Sequence, residues 1–332
     1  IDDPTLYFST TTYTGDGNQN RAVTIDGTGM QPDWLWVKNR SAAEGHVVGD
    51  SVRGATIRLI PNDNGAEATR ATNIASFTSD GFTVANGGVD GAVNTDAATY
   101  VSWAWKKVAG VFDIVTYAGN NTGSRQVSHN LGVVPSLIII KNRTNASSWW
   151  VGSTEIPFTW NTDYLQLNET AAKGTDGGGH IFGAVPTSSY FVPGDNNDTN
   201  GNSNNYVAYL FGNKQGVSKV GSYLGNGNAD GTYIHLGFKP AFFMLKGAFG
   251  EPWLMYDNKR LGYNVRNDQL IANTTGAEDG STASWYIDIL SNGVKLRGND
   301  TAINGTNSAG YIYMAFAENP FVTSGGVPAT AR

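Results

Sequence analysis

Five aromatic side chains, Trp149, Trp160, Tyr164, Trp253 and Trp285, are spread among segments rich in Asn, Asp and Gly. A ring laid on a pyranose face, with amides and carboxylates binding the hydroxyls, is the chemistry of sugar recognition. These five are therefore the candidate ligand-binding residues, and packing within or between domains is the competing reading. Glu155, Glu169 and Glu251 are the scarce carboxylates from which a glycoside hydrolase would need a pair held about 5–9.5 Å apart, a distance that sequence alone does not supply. The run Gly194-Asp195-Asn196-Asn197-Asp198-Thr199-Asn200-Gly201 offers oxygens but more amides than acids, so turn chemistry is favoured over a calcium loop. His46, His129, His180 and His235 are scattered and never four apart, which argues against a metal site. There is no Gly-x-Ser-x-Gly elbow, phosphate loop or dinucleotide fingerprint, so neither an enzyme nor a cofactor is expected.

The elements that must carry these residues are strands. The chain has 332 residues, 42 of them glycine, with 15% charged, 11% aromatic and a net charge of −6. So little Glu and Lys beside so much Gly, Tyr, Trp and Thr disfavours helices, while 40% apolar content disfavours disorder. Absence of cysteine excludes disulfides, thiolate metal sites and a cysteine nucleophile. Without Lys/Arg clusters nucleic acid is not an expected partner, and without about 18 consecutive apolar residues neither is membrane insertion. The start, Ile1-Asp2-Asp3-Pro4, has no signal-like stretch and no Met, which implies processing or excision from a longer chain.

Self-comparison reveals three copies of one pattern. Tyr13-Thr14-Gly15, Tyr117-Ala118-Gly119 and Tyr223-Leu224-Gly225 open them. Pro32, Pro135 and Pro240 each precede an apolar run ending in Lys38, Lys141 or Lys246. Leu59…Asn62, Leu165…Asn168 and Leu270…Asn273 follow, then closing runs at Tyr100–Trp105, Tyr206–Phe211 and Tyr311–Phe316. A period of about 105 residues is too long for solenoid units and suits one small domain per copy. The expected domains are 1–108, 109–215 and 216–322, joined by short linkers and followed by a polar tail, 323–332.

Short apolar runs between Gly/Asn/Asp/Ser clusters predict an all-β chain of three tandem β-sandwich, jelly-roll-like domains. In the first copy, strands are expected near 6–13, 21–25, 34–39, 46–50, 57–60, 74–78, 82–85 and 100–106, with one possible helical turn in 66–75. Asp80-Gly81 and Asn292-Gly293 predict tight hairpin turns with positive φ. Each proline marks a strand start, and each following Lys caps a strand with charge. Trp34, Trp36, Trp103 and Trp105 are read as core, because bulk without identity persists at the matching positions of the other copies.

Residues 30–40 (Met-Gln-Pro-Asp-Trp-Leu-Trp-Val-Lys-Asn-Arg), with Asp50-Ser51-Val52-Arg53-Gly54, Ser79-Asp80-Gly81-Phe82 and the ending 311–321, resemble a tandem-repeat virion structural family of marine tailed bacteriophages. The third copy departs from it, with Gly247 where the others have Asn39 and Asn142. The resemblance implies a virion protein assembled in the host cytoplasm, a tail fibre or appendage subunit associating as a homotrimer with other virion proteins. It implies adhesion to a host-surface glycan or protein and supplies no catalytic residues. A head fibre or decoration protein without receptor binding, and a polysaccharide depolymerase, are the alternatives.

Overall fold

The computed structural model describes residues 3–27, 29–86, 92–155 and 158–322, together with Gly326 and Pro328. The first repeat holds β1 (Phe8–Thr14), β2 (Arg21–Thr24), β3 (Trp34–Asn39), β4 (Val47–Asp50), β5 (Gly54–Leu59), β6 (Ala68–Thr69), β7 (Ile74–Thr78), β8 (Gly81–Val84) and β9 (Thr99–Trp105). The second holds β10 (Phe112–Ala118), β11 (Val127–Ser128), β12 (Leu137–Asn142), β13 (Trp149–Ser153), β14 (Asp163–Gln166), β15 (Gly174–Thr175), β16 (Tyr190–Phe191) and β17 (Asn205–Phe211). The third holds β18 (Ser218–Tyr223), β19 (Tyr233–His235), β20 (Phe238–Gly247), β21 (Trp253–Asp257), β22 (Leu270–Ile271), β23 (Ile287–Leu290), β24 (Gly293–Leu296), the single-turn α1 (Thr301–Asn304) and β25 (Tyr311–Pro320). The chain is all-β, as its composition requires. Residues 66–75 form β6 and turns, not the helical turn expected there.

Each third builds its main antiparallel sheet in the same order. The sheets run β1-β9-β3-β4-β5-β6, β10-β17-β12-β13-β14-β15 and β18-β25-β20-β21-β22, so in every copy the first strand forms one edge of the sheet and pairs with the last. A smaller sheet lies over each: β2-β8-β7, β11-β16 and β19-β24-β23. Between these layers sit separate apolar cores, one containing Leu35, Val37 and Phe82, the next Ile138, Ile140 and Phe191, the last Phe243, Leu245 and Val294.

Side chains alternate across a strand, so Trp34 and Trp36 leave β3 on the face opposite Leu35 and Val37. That face does not meet solvent. It joins a fourth core drawn from all three thirds, including Trp34, Trp103, Trp105, Tyr209, Phe211, Phe242, Met244, Met314 and Phe316. Trp105, Phe211 and Phe316 occupy matching closing-strand positions, and Phe316 lies 5.6 Å from Trp105 and 6.1 Å from Phe211 between ring centroids. Trp34 stacks on Tyr209 of the second repeat at 4.7 Å, and Phe8 on Phe316 of the third at 5.0 Å. The three sandwiches thus surround one aromatic hub, and a continuous run such as Leu137–Ile140 is buried on both faces because one face belongs to its own sandwich and the other to the hub.

The recurring motifs have matching structural work. The hydroxyls of Tyr13, Tyr117 and Tyr223 donate to the carbonyls of Val93, Thr199 and Ile303 at 2.7, 2.6 and 2.6 Å. A Cβ on Gly15, Gly119 or Gly225 would stand 2.0, 2.0 or 2.2 Å from the carbonyl oxygen of Thr95, Gly201 or Gly305, so only glycine fits. The Asn62, Asn168 and Asn273 side chains accept from the backbone N–H of His46, Trp149 and Trp253 at 2.7, 2.9 and 2.9 Å.

Three expectations need correction. Thr78 pairs with Gly81 and Leu290 with Gly293, so the hairpin loops are Ser79-Asp80 and Ser291-Asn292. Gly81 and Gly293 are strand residues, required because a Cβ would lie 2.1 Å from the carbonyl of Val23 or Ile234. Pro240 sits inside β20 rather than before it, at a register shift where its missing N–H is tolerated. Lys38, Lys141 and Lys246 are not charged strand caps in water; all three are fully buried.

Candidate functional site

The constellations that repeat most faithfully lie where one third meets the next. Lys38 Nζ donates to Thr275 O of the third repeat at 3.1 Å, Lys141 Nζ to Asn64 O of the first at 3.1 Å, and Lys246 Nζ to Thr170 O of the second at 2.9 Å. Backbone bonds follow the same rotation: Glu278 N to Arg40 O, Glu67 N to Arg143 O, and Lys173 N to Ala248 O. The first repeat reaches the third, the third the second, and the second the first. The ring is closed. Burial lowers each lysine to about 8, yet each ammonium keeps main-chain carbonyls as partners.

Two candidate ligand residues belong to this rotation. Trp149 Nε1 donates to Ile60 O and Asp63 O of the first repeat, each at 3.0 Å, and Trp253 Nε1 to Gln166 O of the second at 2.9 Å. The matching residue in the first repeat is His46, whose Nε2 lies 3.1 Å from Ile271 O of the third. Trp36 Nε1 donates to His46 Nδ1 at 2.8 Å, so the proton of the neutral ring sits on Nε2 and points across the seam. Burial, then the nearby Lys38 charge, holds His46 well below its ordinary pKa. A ring N–H donor is the common feature, and register with His46 was the sequence signal available for it.

As sugar platforms, Trp149, Trp160 and Trp253 are corrected: all three are buried, which leaves no ring face open for stacking. Trp160 donates to Ala184 O at 3.0 Å and packs on Phe182 at 4.9 Å. Tyr164 is half-buried, edge-on to Trp150 at 4.9 Å, with its ring over Gly174. Trp285 is half-buried against the third sandwich core. The structure does not bring these five into one cluster. Glu155, Glu169 and Glu251 are likewise dispersed: Glu155 accepts from Asn213, Glu169 from Asn168, and the Glu251 carbonyl from Lys246. Among the described residues no three His, Asp or Glu side chains gather as a metal site. In the 194–201 loop, Asn196 Oδ1 accepts from the N–H groups of Asp198 and Thr199 within the turn, and Asp198 Oδ1 accepts from the distant Ser147 hydroxyl.

Two seams add a charged relay. At the first–third seam, Trp103 Nε1 donates to Asp257 Oδ2 at 3.2 Å, Arg260 Nε to the same oxygen at 2.6 Å, and Arg40 grips Glu278 with two bonds of 2.9 Å. At the second–first seam, Tyr209, Asp50, Arg53, Glu67 and Arg143 repeat that arrangement, with Tyr209 OH 2.8 Å from Asp50 Oδ2. The third–second seam has Ser153 and Met314 at the positions of the Asp and its aromatic donor. Burial alone would raise the Asp257 carboxyl, but Arg260 beside it outweighs that and holds it below its usual range.

Clefts open where the first repeat meets the third. The larger, about 350 Å³, is lined by Glu44, Arg58, Asn62, Asp63 and Thr275 among others. The smaller, about 190 Å³, lies at the first–third seam between Thr10, Asp26, Asn258, Lys259 and Glu318. The profile of a family described as a domain of unknown function, DUF7483, matches residues 3–320. The chain belongs to the DUF7483 family. That single profile spans all three repeats, in keeping with a hub to which every third contributes. No curated protein and no solved structure matches the chain.

Proposed function

We propose that this DUF7483 chain is a structural subunit of a bacteriophage particle, a tail fibre or similar appendage, that touches a host-surface glycan or protein. The observation that carries the reading is the closed ring: three sandwiches locked around one hub, with Lys38, Lys141 and Lys246 engaged in the seams, make a stiff spacer. The motifs at residues 30–40 and 311–321, which resemble a phage virion family, supply the biological setting. An approximate threefold within one chain suits attachment at a threefold position of a particle, where a homotrimer would otherwise serve. The native mass of the purified chain tells one ring from an assembly of three.

A second reading, a head fibre or decoration protein without receptor binding, is favoured by the burial of Trp149, Trp160 and Trp253. The two separate in one experiment. Purified protein is tested for binding to host cells, for blocking infection, and for binding to particles that lack it. Cell binding with blocked infection supports the adhesin; tight particle binding without either defeats it. Released sugar fragments on incubation with host polysaccharide would defeat both.

A further inference from the structure

Six asparagines precede glycine: Asn64, Asn86, Asn200, Asn226, Asn292 and Asn304. In that dipeptide the glycine nitrogen, with no Cβ beside it, meets little hindrance in closing on the asparagine Cγ. Four of the pairs are held against this closure. Asn200 and Asn304 are fully buried, and the N–H groups that follow them donate to Tyr206 OH and Tyr311 OH at 2.7 and 2.6 Å. Gly227 N–H donates to Asn304 O at 2.8 Å, while the Asn226 side chain donates to Asp230 O and accepts from Asn304 Nδ2. Gly293 pairs with Leu290 in the β23–β24 hairpin. Gly87, after Asn86, lies outside the described residues. Asn64 differs from the four: its side chain is exposed, on the loop after β5 at the second–first seam.

Around Asn64 the seam supplies what the closure needs. The Gly65 N–H donates to Asp63 Oδ1 at 3.0 Å, which sets a carboxylate base on the nitrogen that must lose its proton. The Asn64 carbonyl accepts from Lys141 Nζ at 3.1 Å and from the Ser147 N–H at 2.8 Å, both of the second repeat. A deprotonated peptide nitrogen shares its charge with that carbonyl oxygen, where the two donors stabilise it. The matching seam positions lack the set. Lys246 bonds Thr170 O, followed by Ala171. Lys38 bonds Thr275 O, followed by Gly276, whose N–H donates at 3.4 Å to a hydroxyl, Thr274 Oγ1, and not to a carboxylate. Neither position offers a side-chain amide.

We propose that Asn64 is a self-modification site, where the chain deamidates through a cyclic imide and so ages the second–first seam. The Gly65 N–H proton passes to Asp63, the nitrogen bonds Asn64 Cγ, and the Cγ–Nδ2 bond breaks, releasing ammonia with that proton. Water then opens the imide to aspartate or isoaspartate. Isoaspartate adds a methylene to the backbone, which displaces the carbonyl from Lys141 Nζ and the Ser147 N–H. The test is peptide-mapping mass spectrometry of the full chain aged in neutral buffer, with isoaspartate scored by enzymatic methylation. Asn64 should convert ahead of Asn200, Asn226, Asn292 and Asn304. Asp63→Asn, which keeps the side-chain shape and an acceptor but not the base, should slow the conversion about tenfold or more, and thermal melting shows whether that variant is folded. A second measurement needs no variant: in urea, which dissolves the seam, the Asn64 rate should fall to that of the other four. Conversion at any of those four before Asn64, an unchanged rate in folded Asp63→Asn, or a rate that urea does not lower overturns the proposal.

Discussion

Replacing Asp257 with alanine tests the relay at the first–third seam. The Asp257 carboxylate accepts from Arg260 Nε at 2.6 Å and Trp103 Nε1 at 3.2 Å, and from the backbone N–H groups of Lys259 and Arg260 at 3.0 and 3.1 Å. Both members of the Asp257–Arg260 pair are fully buried. Removing one partner of such a pair costs about 3–5 kcal/mol, because the other charge is left uncompensated. The orphaned donors would add about 1–3 kcal/mol each in isolation. They share one network with Arg260, which keeps Glu278 at 3.1 Å, so these costs do not add and the loss should be about 3–5 kcal/mol in all. Asp50→Ala should cost a similar amount. Ser153→Ala, at the matching position of the seam without a relay, removes two ordinary hydrogen bonds, to Ser136 O and from Glu155 N–H, and should cost about 1–2 kcal/mol. Urea unfolding followed by tryptophan fluorescence measures all three. A loss below about 1 kcal/mol for Asp257→Ala, or equal losses at 153 and 257, would refute the assignment of the relay.

Gly119→Ala places a Cβ 2.0 Å from Gly201 O, so the turn must break, and loss of about 3 kcal/mol or more is expected in the same unfolding assay. The seam lysines, lowered to about 8 by burial, release protons in the folded state before the unfolded chain does. Stability should therefore rise from about pH 8 towards pH 10, and a urea midpoint flat or falling between about pH 7 and pH 9.5 would contradict it. Above pH 10 the trend reverses, because burial holds phenols such as Tyr209 well above their ordinary value while unfolded tyrosines ionise. Trp253→Phe removes one indole donor across a seam and should destabilise by about 1–3 kcal/mol; an unchanged urea midpoint would contradict the structural role.

The strands of the first repeat fall within a few residues of where apolar runs and turn residues place them, because a half-buried pleated surface imposes its period directly on the sequence. The hub was half legible. A run such as Leu137–Ile140 announces burial on both faces, but nothing in it says whether the second face meets a sheet of its own copy or a neighbouring copy. The seam lysines were hidden for a related reason. A lysine after a strand reads as solvated, and only knowledge of which carbonyls converge on it shows otherwise. Trp149 and Trp253 look unmatched when aromatic identity is compared, yet their counterpart His46 performs the same donation. The relays escaped because Arg40 and Glu278 lie far apart in sequence and meet only through ring closure.

Because all three sandwiches reside in one polypeptide, the ring is free to be uneven. Three identical chains would have to repeat every change three times, so a hydroxyl admitted to the hub would weaken it at three places at once. Here one position of the opening strands carries Thr10 in the first repeat but Ile114 and Val220 in the others, and another carries Ser218 in the third but Phe8 and Phe112 in the others. A covalently joined ring can thus specialise a single junction and leave the other two to hold the assembly together.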